Sequence, residues 1–127
     1  MKKLLSLWLA LCAVLLLSAC TTTITNLTPG TQKRSPNGLY PFEVALDTRK
    51  QCLRQETLKP YVLVGAQSYP MQPTMGLKNR WETLIPISPD KEFVNYRFKF
   101  DYEFSSIPHP QNSSKLSSPY QVRILDK

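Results

Sequence analysis

An alternation of apolar and polar residues over positions 94–104 constrains the fold of this chain more than any other feature of its 127 residues. Successive side chains of a β-strand point to opposite faces, so the pattern predicts a strand with one buried aromatic face and one charged, solvated face. A helix would distribute the same residues around its whole circumference. The residues predicted to face inward are Val94, Tyr96, Phe98, Phe100, Tyr102 and Phe104.

Shorter β-prone segments lie on both sides of this strand. Gly65-Ala66 separates two of them and predicts a hairpin with a two-residue turn. Pro41 lacks a backbone donor, so it predicts a strand start or an edge. We interpret residues 48–59 as a helical turn or a long loop between sheets, and residues 107–118 as a loop. The other predicted strands are residues 22–27, 40–47, 61–64, 67–71, 80–87 and 119–125.

About seven strands without a convincing long helix predict an all-β fold, a two-sheet antiparallel sandwich. Residues 61–71, 94–104 and 120–125 carry its resemblance to the immunoglobulin-like (Ig-like) domains of bacterial surface lipoproteins. The cysteine pair of antibody domains is missing, and Trp81 falls later than the core tryptophan of the third strand. A transthyretin-like sandwich, as in some secretion-system lipoproteins, is the alternative strand order.

The first twenty residues have the layout of a bacterial leader peptide. Two lysines precede an apolar run over residues 4–17, and Leu17-Ser18-Ala19-Cys20 closes it. The run is shorter than the roughly 20 apolar residues of a membrane-spanning helix. A spanning helix and an ordinary secretory leader are the alternatives. The closing segment resembles the lipobox of bacterial lipoproteins.

The lipobox resemblance implies cleavage before Cys20, acylation of its sulfur and of the new N-terminus, and firm anchoring by several acyl chains. Thr21 follows Cys20 where an aspartate would favour the inner membrane, so we expect a bacterial cell envelope protein in the outer membrane rather than the inner. The expected organisation is a lipoprotein signal peptide over 1–19, a lipidated N-terminus with tether and first strand over 20–38, and the Ig-like sandwich over 39–127.

Cleavage would leave 127 − 19 = 108 residues and reduce the net charge from +7 to +5, because Lys2 and Lys3 are removed. A basic surface would attract acidic lipid headgroups or anionic envelope polymers, whereas the expected location argues against nucleic acid. Cys12 leaves with the leader and Cys20 carries lipid, so no internal disulfide is expected for Cys52. We interpret Cys52 as a small packed hydrophobe, with an intermolecular disulfide or a reactive thiol as alternatives.

Candidate catalytic residues are few. His109, the single histidine, lies between two prolines and lacks partners in the sequence. Asp101 and Glu103 alternate on the exposed strand face, where cross-strand salt bridges to basic neighbours account for them. No cluster has metal-ligand spacing. Most tyrosines are expected in the core, with Tyr40 and Tyr69 the candidates for exposure near strand ends.

The sequence therefore predicts no catalytic, cofactor-binding or metal-binding residues, and one lipid attachment site at Cys20. We expect a non-catalytic, membrane-anchored envelope lipoprotein that acts as a structural or protein-interaction module. Its expected partners are the membrane, through acyl chains on Cys20, and an envelope protein. The alternative is an accessory lipoprotein subunit of a secretion or envelope-assembly machine. A hydrolase or ligand-binding protein using the loop around His109 is the third hypothesis.

Overall fold

The computed structural model describes residues 1–15, 22–48 and 53–126. One helix, α1, covers Lys2–Leu15, where leucine and alanine favour helix. No helix in the described ranges is long and apolar enough to cross a membrane. Ten strands follow in these ranges: β1 (Thr22–Asn26), β2 (Thr31–Lys33), β3 (Leu39–Thr48), β4 (Arg54–Val64), β5 (Gln67–Pro70), β6 (Gln72–Pro73), β7 (Arg80–Pro86), β8 (Phe93–Phe104), β9 (Gln111–Leu116) and β10 (Tyr120–Leu125).

The strands form two sheets packed as a sandwich. The first sheet has the order β1-β3-β7-β6, and the second has the order β2-β10-β8-β4-β5, with β9 also paired to β8. All pairs are antiparallel except β2 with β10. With β1, β3, β6 and β7 as strands A, B, D and E, and β4, β8 and β10 as C, F and G, this is the immunoglobulin strand order. The predicted Ig-like sandwich is confirmed.

The core lies between the sheets and is rich in aromatic rings. Val94, Tyr96, Phe98 and Phe100 on β8 are buried, as their alternation predicts, and Tyr102 and Phe104 are half-buried at the end of the strand. Phe42 on β3 meets Tyr96 edge to face, with ring centroids 4.8 Å apart. An aromatic pair thus joins the two strands, B and F, that a disulfide joins in antibody domains.

Two segments expected as loops contain strands. Residues 54–59 belong to β4, and residues 111–116 form β9. The β9 sequence is polar and has low intrinsic strand propensity, but its whole length pairs with the second half of β8, from Lys99 opposite Leu116 to Phe104 opposite Gln111. Pairing with a strongly specified neighbour therefore overrides local propensity.

The turn predictions hold, and one burial prediction is wrong. Gly65 has φ +59°, which suits the first central position of a type II′ hairpin turn between β4 and β5. Pro41 lies near the start of β3, beyond the stretch that pairs with β1.

Tyr40, expected to be exposed, has only 2% of its surface exposed, because it lies on the inward face of β3. Its hydroxyl accepts a hydrogen bond from the Ser35 backbone N–H at 3.0 Å.

The segment expected to hold a tether and first strand contributes one strand to each sheet. β1 pairs with β3, and β2 pairs with β10. Thr28 lies where the chain leaves the first sheet, and its hydroxyl both accepts from the Glu43 N–H and donates to the Glu43 carbonyl, each at 3.0 Å. The side chain thereby takes the place of a backbone ladder partner just beyond the end of β1.

Candidate interaction surface

A bulge in β4 shapes the outer face of the second sheet. Arg54 lies opposite Glu103 and Lys59 opposite Asp101, so β4 advances five residues while β8 advances two. Thr57 stabilises the extra loop of backbone, because its hydroxyl accepts from the Glu103 N–H at 2.9 Å and donates to the Arg54 carbonyl at 2.6 Å. Two residues of this bulge, Glu56 and Thr57, line one side of a groove on the outer face of the sheet.

The groove has a volume of about 680 Å³ and runs across β4, β8 and β9. We call it the β4–β8–β9 groove. Its side walls carry charged, aromatic and small polar side chains, among them Lys59, Tyr61, Lys99, Asp101, Asn112 and Ser114.

The charges around this groove are balanced, and most of them form ion pairs. Asp101 contacts Lys99 at 3.4 Å and accepts a hydrogen bond from Ser114 at 2.9 Å. Arg54 bridges Glu56 at 3.0 Å and Glu103 at 3.2 Å. Three basic residues, the third being Lys59, therefore offset three acidic ones, and the groove does not present a field of a single sign.

Glu56 and Tyr61 represent the charged and the aromatic parts of the groove. A hydrogen bond from its own backbone N–H, together with Arg54, lowers the pKa of Glu56 below its ordinary value, so the carboxylate is stabilised in its charged form. Tyr61, directly opposite Lys99, is half-buried on the outer face of β4. A partly exposed tyrosine combines a large apolar ring with a polar hydroxyl, which suits protein contacts.

A second depression of about 540 Å³ lies on the outer face of the first sheet. Glu43 and Glu82 lie directly opposite each other there, and Arg80 offsets their repulsion through a 3.1 Å contact with Glu43. Leu84, 57% exposed, is the apolar side chain of this surface. None of the described residues that line this depression is aromatic, and Glu43 alone of its two glutamates forms an ion pair among the described residues.

The residues singled out from the sequence are dispersed in the structure. Cys20 and Cys52 lie outside the described residues. Asp101 and Glu103 lie in the β4–β8–β9 groove, and they pair with Lys99 along β8 and with Arg54 across to β4. His109 lies in the exposed connection between β8 and β9. No group of three histidine, cysteine or acidic residues in the described ranges is placed to hold a metal ion.

Sequence reasoning missed Tyr61 and the groove beside it. The predicted hairpin includes Tyr61, but one side of the groove is lined by the bulge between Arg54 and Lys59, for which the sequence carries no local signal. Half of the loop proposed as a binding region is instead β9, which supplies Asn112 and Ser114 to the groove wall.

Comparisons with known proteins give little beyond this geometry. No protein-family model matches the chain, and no curated protein matches it. Among solved structures, that of murine CRIg is similar, with 12% sequence identity and a TM-score of 0.46, over 83% of this chain and 98% of that chain. A similarity at this level carries no information about a ligand or a partner, so function has to be argued from the chain's own residues.

Proposed function

We propose that this chain is a membrane-anchored bacterial envelope lipoprotein, held by acyl chains on Cys20, and that its sandwich is a non-catalytic protein-interaction module. The β4–β8–β9 groove is the surface that binds the partner. The observation that carries this proposal is the groove itself, in which a half-buried tyrosine lies among equal numbers of acidic and basic side chains on the outer face of a sheet.

The composition of the groove favours a protein over other ligands. Nucleic acids and anionic polymers bind to surfaces with excess positive charge, whereas the three basic residues of this groove are offset by three acidic ones. A mixed polar rim around an aromatic anchor is typical of protein interfaces. A partner with complementary charges would exchange the existing ion pairs for its own, which supplies specificity more than affinity.

The anchoring half of the proposal rests on the sequence motif. The resemblance of Leu17-Ser18-Ala19-Cys20 to the lipobox supports acylation of Cys20, and more than one acyl chain is needed for stable attachment. Mass spectrometry of the N-terminal peptide from native membranes tests this half. We expect Cys20 to be the first residue and to carry acyl chains, and Cys20→Ala to release the protein from the membrane fraction. An unmodified Cys20 inside an uncleaved chain would contradict it.

The groove is tested by photo-crosslinking in intact cells. A photoreactive phenylalanine analogue replaces Tyr61 in the full-length chain, and the matched control carries it at Arg123, an exposed position at the far end of the same sheet. We expect one protein to be crosslinked from position 61 and not from position 123. The charge reversal Lys99→Glu should abolish that crosslink while the protein stays in the membrane. Equal crosslinking from both positions, or none from position 61, contradicts the role of the groove.

A further inference from the structure

The position of the first strand determines which end of the sandwich faces the membrane if Cys20 is acylated. β1 begins at Thr22, which pairs with Thr48 at the end of β3. The Lys115 ammonium on β9 donates to the Thr22 carbonyl, so the start of β1 also lies beside the middle of the β8–β9 hairpin. The connection between β6 and β7 lies at this same end, because Asn79 accepts a hydrogen bond from the Leu46 N–H.

The β8–β9 hairpin extends past the start of β1. Lys115 lies opposite Phe100, and the two strands continue to Phe104 opposite Gln111. Four further residues at about 3.4 Å each add roughly 14 Å. Cys20 precedes Thr22 by two residues, which span at most about 7 Å. Even allowing for the length of the Lys115 side chain, the tip of the hairpin reaches at least as far as the acylated residue.

The composition of this tip suits a lipid interface. From residue 104 to residue 114 the chain has no aspartate, glutamate, lysine or arginine. Ile107 is 97% exposed at the tip, an unusual position for a β-branched aliphatic residue. Pro108 and Pro110 carry no backbone N–H, so fewer donors lose water when the tip enters a headgroup layer. Two further apolar side chains, Met75 and Leu77, are exposed in the β6–β7 connection at the same end.

The opposite end of the sandwich has a different character. It carries the turns that follow β2, β4 and β7. Phe93 and Leu125 are exposed there, but the turns after β2 and β7 are charged, with Arg34, Asp90, Lys91 and Glu92. The end from which the N-terminal chain leaves therefore carries the uncharged hairpin tip with its exposed Ile107. The β6–β7 connection beside it exposes Met75 and Leu77 and has one charged residue, Lys78.

We propose that the tip of the β8–β9 hairpin, with Ile107 at its apex, inserts into the lipid headgroup region beside the acyl chains of Cys20. This inference rests on the proposed acylation. Insertion gives the lipid-anchored domain a second contact with the membrane, which restricts its rotation about the short tether. The β4–β8–β9 groove is then held close to the membrane surface, facing sideways toward a partner in the same membrane.

Fluorescence in vesicles tests the proposal with the full-length, processed chain. In a Cys52→Ser background, a polarity-sensitive nitrobenzoxadiazole label is attached through Ser105→Cys at the tip, or through Asn37→Cys in the exposed turn at the opposite end. The vesicles contain phosphatidylethanolamine and phosphatidylglycerol, with or without lipids spin-labelled near the headgroup. We expect blue-shifted emission at position 105, quenched by the spin-labelled lipid, and water-like emission at position 37. Adding Ile107→Asp should remove the shift at position 105.

The possible outcomes separate this inference from the proposed function. If mass spectrometry shows an acylated Cys20 and the label at position 105 behaves like the one at position 37, insertion is refuted while the anchor stands. A blue shift that survives Ile107→Asp refutes the role of Ile107 as the inserted residue. A chain that carries no acyl groups refutes the proposed anchoring and this inference together.

Discussion

Ser117 lies between β9 and β10, and its hydroxyl serves as the hydrogen-bond acceptor for a backbone N–H of β8. Its hydroxyl accepts a hydrogen bond from the Phe98 backbone N–H at 2.8 Å and donates to the Ser118 carbonyl at 2.8 Å. Its own backbone N–H donates to the Phe98 carbonyl at 2.9 Å. Both Ser117 and Phe98 are buried, so water has little access to these groups.

The substitution Ser117→Ala removes the acceptor of the Phe98 N–H and keeps the rest of the turn. A buried donor left without a partner costs about 1–3 kcal/mol. We therefore expect the free energy of unfolding to fall by about 1–3 kcal/mol. For a domain of this size, each kcal/mol corresponds to a decrease in Tm of about 4–8 °C.

Thermal and urea unfolding followed by circular dichroism measure this loss. Ser118→Ala is the matched control, because Ser118 is exposed and contributes its backbone carbonyl to the described contact. We expect the control to stay within about 0.5 kcal/mol of the unsubstituted chain. If Ser117→Ala also stays within that margin, the buried Phe98 N–H does not depend on Ser117 and the reasoning is refuted.

Two further predictions concern pH and turn geometry. Burial raises the pKa of Tyr96 above its ordinary value of 10.0, so the unfolded chain loses that proton first and the domain loses stability as the pH rises through about 10. The Tyr96→Phe variant should show a shallower alkaline loss in unfolding titrations, by at most about 1.4 kcal/mol per pH unit; an unchanged slope would contradict the assignment to Tyr96. Gly65→Ala should destabilise the domain by about 1 kcal/mol because of its positive φ, whereas Gly30→Ala, in open space without that conformation, should be nearly neutral in the same melts. Equal effects at the two glycines would argue against the turn assignment.

The fold could be predicted from the sequence in those strands that bury one face and expose the other. The alternation over residues 94–104 placed four buried residues of β8 correctly, because a one-residue shift in register would expose the whole aromatic face. The prediction of an exposed Tyr40 is wrong because a position near a strand start does not show whether the opposing sheet covers the side chain. Gly65 correctly predicted a turn, because a positive φ is costly for residues other than glycine.

The candidate groove could not be predicted in the same way. Thr57 and Lys59 line it where a bulge shifts the register of β4 against β8, and the free energy of that shift depends on pairing between segments distant in sequence. The polar β9 strand likewise forms because its backbone pairs with that of β8. Neither feature has a signature in the residues that form it, so local patterns predict loops for both segments.

The sequence by itself determined the period of the core strands, the positions of the main turns and the motif that predicts an acylated Cys20, since each depends on neighbours in the chain. The tertiary structure alone decided the pairing of β9, the bulge that lines one side of the groove and the end of the sandwich from which the N-terminal chain leaves. These features arise from contacts across the sheets, whose free energy depends on which distant backbone and side-chain groups meet.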